Sequence, residues 1–317
     1  MRNRTPVAKR SRTPMAGLDP PEFLKRTGQK YREPPEIDMT RPSIARVYSY
    51  YLGGKDHFEV DREMANYAEG VVPGVTDLAL GNRAFVQRAT RHLTAEAGLD
   101  QFLDIGSGLP SDGNVHEIVR KTLQERGRST GSPHEAKVVY VDSDPMVLAH
   151  GRALLADDRS VTVVRADLTE PDEVLARAVG TGLIDVERPV GLILGGILHH
   201  LHDEQDPAGC TRRLLDALAP GSHVVISHFC RPDASRAARS AERAEALERA
   251  FREKLGTGRW RTEAEIAAYF HDWPLVPPGL VPLNDWHPQA RDGLRAGSYS
   301  MPVRNRLIIV GGVARKP

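Results

Sequence analysis

The sequence predicts an α/β protein built on a doubly wound, mostly parallel sheet, with a helical segment in front of it. Three observations predict this fold class. Short apolar runs alternate with helical patterns from Gln101 to Phe229, and strands separated by helices of this length imply parallel βαβ units. The runs KVVYVD, VTVVRAD, PVGLILGG and SHVVISHF are apolar almost throughout, as expected of strands covered on both faces. The first run, QFLDI, passes directly into GSGLPSDG. An acidic residue and two glycines therefore stand at the carboxyl end of a strand, where open α/β sheets hold their ligands.

Taken in order, residues 1–35 are rich in Arg, Lys and Pro and carry no hydrophobic period, so they are expected to form a disordered basic arm. Residues 36–99 read as helical. SIARVYSYYLGG puts Ile44, Val47, Tyr48 and Tyr51 on one face and stops at Gly53–Gly54, and DREMANYAEGVV and LALGNRAFVQRATRHLTAEAG continue as amphipathic helices. The last of these ends at Gly98, a helix terminator. The domain from residue 100 to 317 then begins with strand QFLDI and helix GNVHEIVRKTLQERG. Strand KVVYVD precedes helix PMVLAHGRALLAD, which Pro145 opens at a favourable first-turn position. Strand VTVVRAD, helix PDEVLARAVG, strand PVGLILGG, helix PAGCTRRLLDALAP and strand SHVVISHF follow. Residues 231–255 form a long Ala/Arg/Glu helix, read as solvated and laced with i,i+4 ion pairs. RTEAEIAAYF is a helix capped by Thr262 with Glu265 completing the capping box. GLVPLNDW and RNRLIIVGGVA are expected as two strands forming an antiparallel hairpin at one sheet edge.

Composition narrows the function classes. A net charge of +1 over 317 residues provides no global field toward nucleic acid or membrane. No apolar run approaches the ~20 residues of a membrane span. Two cysteines, Cys210 and Cys230, are too few for a disulfide framework and suit a reduced compartment. The basic N-terminus has no apolar stretch behind it and is not a secretory signal. These features predict a cytoplasmic protein with a small-molecule partner, without membrane or nucleic acid, and they leave room for a homodimer.

Three readings of the glycine turn compete: a nicotinamide dinucleotide, S-adenosylmethionine and no ligand. The pattern is G-S-G-L-P-S, so Ser111 replaces the third glycine of the dinucleotide motif, and Pro110 disturbs the helix N-terminus that a pyrophosphate prefers. An acid directly before the turn, Asp104, suits a cationic amino group. Asp142, followed by Ser143, ends the second strand and can accept from a ribose diol. Asp167, followed by Leu168, ends the third and can accept from an adenine amine. At Gly195 the fourth strand ends in LILGGILHHL, where the chain would pass a sulfonium and its methyl group. Ammonium, ribose and adenine are the polar inventory of S-adenosylmethionine.

These features resemble a class I S-adenosylmethionine-dependent methyltransferase, and more closely an actinobacterial branch long catalogued as a domain of unknown function. The resemblance is carried by RPSIARVYSYYLGGKDHFEVDRE (41–63), NRAF (82–85), QFLDIGSGLPSDGNVHEI (101–118), VVYVDSDPMVLAHGRALL (138–155), RADLTEP (165–171), LHHLHDEQDP (198–207) and the tail GGVARKP. It implies a seven-stranded, Rossmann-like sheet, S-adenosylmethionine as cofactor and S-adenosylhomocysteine as product. Asp104, Gly106 and Gly108 would form the glycine turn, Asp142 would take the ribose, and Asp167 with Leu168 the adenine. Arg46, Tyr50, Gly54 and Lys55 would fold over the cofactor as part of a helical lid, and Asn82 and Arg83 would approach its amino-acid end. The chain departs from the superfamily at the fourth strand, which lacks both an early Asp or Asn and an Asn-Pro-Pro-aromatic turn. The departure removes support for methylation of a nucleobase amine.

His199 and His200 follow that strand and are the candidate general bases, since histidine titrates in the useful range. With His202 and Asp203 they are also metal-ligand types, but adjacent side chains in so short a segment diverge, and no metal is expected. The expected function is methyl transfer to an oxygen or nitrogen of a small molecule. The alternative is a non-catalytic sensor or scaffold that binds S-adenosylmethionine, motivated by the missing acid of the fourth strand.

Overall fold

The computed structural model describes residues 37–130, 135–155, 158–287 and 303–317. The basic arm expected over 1–35 lies outside them. Residues Ile37–Pro317 form one compact unit. Helices α1 (Ile44–Tyr51), α2 (Glu59–Val71) and α3 (Val75–Ala95) precede the sheet. Strand β1 (Gln101–Ile105), helix α4 (Val115–Thr130), β2 (Lys137–Asp142), α5 (Pro145–Leu154) and β3 (Val161–Arg165) build the first half. Helix α6 (Pro171–Val179), β4 (Gly191–Gly195), α7 (Pro207–Asp216), β5 (His223–Phe229), α8 (Ala234–Leu255) and α9 (Glu263–Ala267) follow, then β6 (Val281–Pro282) and β7 (Ile309–Arg315).

The sheet has seven strands in the order β3-β2-β1-β4-β5-β7-β6. The first five are mutually parallel, and β7 runs antiparallel to both β5 and β6. The order reverses between β1 and β4, so a crevice opens at their carboxyl ends. Alternate residues supply the two faces. Phe102, Ile193 and Val225 join a core cluster with Phe85, Leu93, Trp260 and Trp286. Their neighbours Leu103, Leu192, Leu194, Val224 and Ile226 join a second cluster with α6 and α7. All residues of β1 and β5 are buried, as expected of central strands covered on both faces. Full burial of each large side chain contributes about 1.5–3 kcal/mol. The N-terminal helices belong to the same core: Val47, Tyr51, Leu78 and Phe85 share the cluster of Phe102. No helix among the described residues is long and apolar enough to cross a membrane.

Thr262 caps α9 as expected, with Glu265 N–H donating to its hydroxyl at 3.3 Å and Thr262 N–H donating to the Glu265 carboxylate at 2.7 Å. The edge hairpin forms, but it is shorter than expected. Of GLVPLNDW only Val281–Pro282 pairs, and Leu283–Asp285 winds into a 3₁₀ turn. Pro282 has no N–H to extend a ladder. Arg88 draws the next carbonyls away, binding Leu283 O at 2.5 Å and Trp286 O at 3.0 Å. RNRLI is likewise 3₁₀ (Val303–Ile308) and not strand. Asn305 holds it by donating to Pro73 O at 3.0 Å and accepting from Arg243 at 2.9 Å. The charged helix α8 also departs from its expected solvated character: Ala244, Leu247, Ala250 and Phe251 are buried in one stripe.

Candidate active site

The crevice at the β1/β4 reversal is a cavity of about 310 Å³. At one end the glycine turn leaves β1. Gly106 and Gly108 have φ of +70° and +69°, a conformation that costs other residues roughly 1–2 kcal/mol. A Cβ on Gly106 would also lie 2.6 Å from Ile197 Cγ1. The turn is tied to β2 by Gly106 N–H on Val141 O (2.8 Å) and by Gly108 N–H on Asp142 Oδ2 (2.9 Å). Asp142 Oδ1 accepts from Asp144 N–H at 2.9 Å.

Asp104 lines the cavity, is 6 % exposed, and has no hydrogen-bond partner among the described residues. Burial pushes its carboxyl up to about 7, opposed by the Arg83 guanidinium and reinforced by Asp142. Burial also raises Asp142, against the hydrogen bonds it accepts. Arg83 donates to Asn114 Oδ1 at 3.1 Å and Asp112 O at 3.4 Å, while its buried Nε has no partner among the described residues. Two buried acids and an incompletely partnered guanidinium are suited to the ammonium and carboxylate of an amino acid.

The same region is unsuited to a pyrophosphate. The N-terminus of α4 is occupied by Glu117, whose Oε2 accepts from Gly113 N–H at 3.0 Å and Asn114 N–H at 3.1 Å. The amides that would cradle a phosphate are engaged by an anion of the chain itself.

The cavity brings together ten of the expected site residues: Asn82, Arg83, Asp104, Gly106, Gly108, Asp142, Ser143, Gly195, His199 and His200. Asn82 is buried, donating to the Tyr48 hydroxyl at 3.1 Å and accepting from Ser227 Oγ. The structure does not bring the other six to the cavity wall. Arg46 is 3 % exposed, donating through Nε to Asp61 (2.7 Å) and through Nη2 to Arg41 O (2.6 Å), with its guanidinium over the Phe58 ring. Tyr50 bonds Asn66 at 3.3 Å and packs edge-on to His57. Gly54 ends α1, donating to Ser49 O at 2.8 Å beside Gly53 N–H on Tyr50 O at 3.0 Å, which is a helix-terminating pair. Lys55 is exposed. Leu168 is core. Asp167 is exposed and caps its own turn through Oδ1, accepting from Thr169 N–H and Oγ1 at 2.9 and 2.8 Å.

His199 and His200 line the cavity, but the environment removes the basicity expected of them. Burial lowers His200 to about 3 and His199 well below its ordinary value, with neighbouring His200, His228 and Arg261 adding to the latter. His199 Nδ1 accepts from Phe229 N–H at 3.4 Å, which leaves the ring proton on Nε2 as a donor. His200 Nδ1 pairs with Thr257 Oγ1 at 2.9 Å.

Sequence reasoning missed the rest of the wall. Ser43, Val75, Leu78, Phe229, Phe251, Leu255 and Ile309 also line the cavity, as do Tyr48 and Tyr51 from the apolar face of α1. The i,i+4 series Leu247, Phe251, Leu255 was the available signal in α8.

A seven-stranded sheet with this order, a glycine turn at its reversal and paired acids beside it define a class I S-adenosylmethionine-dependent methyltransferase. Comparison with known proteins agrees. The chain belongs to the S-adenosyl methyltransferase family, whose model matches residues 30–317. A candidate methyltransferase from Thermobifida fusca YX is 39% identical over 90% of this chain and 98% of that one, with a TM-score of 0.75. A DUF574 family protein from Streptomyces avermitilis MA-4680 is 34% identical over 89% of this chain and 100% of its own, with a TM-score of 0.74. A comparison with curated proteins finds no match.

Proposed function

We propose that the chain methylates an oxygen or nitrogen of a small molecule, with S-adenosylmethionine held by the ends of β1 and β2 beneath α1–α3 acting as a lid. The observation that carries the reading is the buried Asp104 carboxylate, without a hydrogen-bond partner among the described residues and facing the cavity beside the glycine turn. Asp104 takes the ammonium, Arg83 the carboxylate, and Asp142 with Ser143 the ribose hydroxyls. Asp167 keeps Oδ2 free of hydrogen bonds among the described residues and stands at the end of β3 for the adenine amine. Gly195 and Gly196 let the chain pass close to the sulfonium. When bound, the cofactor supplies an electrophilic methyl group.

The protein's own contribution is to position the acceptor and exclude water, which together can supply several kcal/mol of barrier reduction. His199 and His200 stay uncharged near neutral pH and serve to orient the acceptor by hydrogen bonding. The test is calorimetric titration and thermal denaturation with S-adenosylmethionine and with a nicotinamide dinucleotide. A ligand present at 100 times its Kd stabilises the native state by about 2.7 kcal/mol. The expected result is a shift with S-adenosylmethionine alone. A shift with the dinucleotide alone would overturn the reading.

A further inference from the structure

The two ends of the cavity differ in kind. Arg83, Asp104, Asp142 and Asp144, the arginine and acidic side chains on its wall among the described residues, all stand at the β1–β2 end. Asp144 is itself engaged, accepting from Ser43 Oγ and Met146 N–H. The sheet order β2-β1-β4-β5-β7 places the opposite end two or three strands away from β1, ~10–15 Å at the usual inter-strand spacing. There the wall is Tyr51, Leu78, Phe229, Phe251, Leu255 and Ile309. Phe229 stacks on Trp260 with ring centroids 4.5 Å apart, and Phe251 meets Trp260 edge-on at 5.3 Å. Interlocked rings of this kind make a rigid surface that prefers another aromatic edge or face.

The polar atoms at that end are few. Tyr48 OH is held between Ala79 O (3.2 Å) and Asn82 (3.1 Å). His199 and His200 are each committed through Nδ1, and burial keeps both rings uncharged. A carboxylate or ammonium entering this end would lose its water and meet no counter-ion on the cavity wall among the described residues, a loss that few other contacts recover. An uncharged ring would lose little and gain the apolar wall.

Building on the methyl-transfer reading above, we infer that the acceptor is an uncharged aromatic molecule bearing a hydroxyl or amino group. Its ring lies against Phe229, Phe251 and Leu255, and its polar atom lies toward His199 and His200 beside Gly195–Gly196.

The test uses the full chain saturated with S-adenosylhomocysteine and measures binding by calorimetry, so it does not depend on turnover. The probes are 2-naphthol, 2-naphthoate and 2-naphthylmethylammonium, which share a ring system and differ in charge. The expected result is that 2-naphthol binds at least tenfold more tightly than either ion. Leu255→Glu, at a half-buried site in the last turn of α8, is expected to weaken 2-naphthol at least tenfold and to leave S-adenosylhomocysteine affinity within twofold. A melting curve checks that the variant is folded, and discrimination by the unsubstituted protein stands independently of it. An ion binding as tightly as 2-naphthol, or none of the three binding, overturns the inference while leaving the cofactor site intact. Failure of S-adenosylhomocysteine to bind overturns the methyl-transfer reading as well.

Discussion

The strand-end region and the N-terminal helical region both carry polar residues that the sequence marks out, yet the fold uses them in opposite ways. At the end of β1, Asp104 is buried and lines a cavity with no hydrogen-bond partner among the described residues, and Arg83, reaching the same place from α3, has a buried Nε likewise without one. In the helical region, Arg46 is equally buried but paired with an acid of its own chain. Asp61, itself 0 % exposed, accepts from Arg46 Nε (2.7 Å), Ser43 N–H (3.0 Å) and Phe58 N–H (2.7 Å). That one carboxylate fixes the start of α1 against the start of α2. A buried charge left open is built for a ligand, whereas a buried charge closed by its own chain is built for the fold.

The sharpest way to break this comparison is Arg46→Ala. It leaves Asp61 buried without its cation and is expected to cost about 3–5 kcal/mol of stability, measured by urea denaturation. A variant as stable as the parent that loses cofactor binding would return Arg46 to the binding site.

Asp104→Asn should do the reverse. Loss of a charged hydrogen bond of about 1.5–3 kcal/mol predicts roughly 10- to 150-fold weaker S-adenosylmethionine by calorimetry, with a melting temperature equal to or above the parent's. The sign follows from the acid's environment. Its carboxyl is raised to about 7 in the folded protein from an ordinary value of 3.8, so between those values the folded state holds the extra proton. Stability without ligand should therefore fall as pH rises from about 4 to 7, the opposite of a salt-bridged acid. Binding of a cationic ammonium needs the carboxylate, so affinity should fall by up to about tenfold per pH unit below 7. Asp104→Asn should abolish that slope.

Gly108→Ala tests the turn. At φ +69° the substitution is expected to cost about 1–2 kcal/mol of stability and to weaken the cofactor, read from the same melts with and without ligand. The smallest effect is expected at Lys55, exposed and away from the cavity wall. Lys55→Ala should change stability by less than about 0.5 kcal/mol and affinity by less than twofold, and a larger loss of affinity would restore the lid contact that the sequence suggested.

Much of the charged end of the cavity was legible because its residues lie at the boundary of a strand, and that boundary is a local property. QFLDI ends where its apolar run ends, and the next residues must be the turn. Asp104, Gly106, Gly108 and Asp142 follow from this without any knowledge of the tertiary fold. Arg46 stands off the cavity wall and pairs with Asp61, and a conspicuous motif does not reveal whether its charge meets a ligand or its own chain. The apolar end of the cavity was not legible, because its wall is assembled from α1, α3, β5, α8 and β7. The Arg and Glu majority of α8 concealed the stripe that ends in Phe251 and Leu255.

By itself the chain determined its alternating strands and helices, the glycine turn and the acids beside it, since each depends on periodicity and residue type over a few neighbours. The tertiary structure alone decided three further things. It chose the strand order that opens the crevice between β1 and β4, and it placed β7 inside the edge hairpin against β5. It also surrounded His199 and His200 with Phe229, Phe251, Trp260 and His228, which makes them uncharged donors and acceptors instead of strong bases. Basicity is set by the water and charge around a group, and packing determines both.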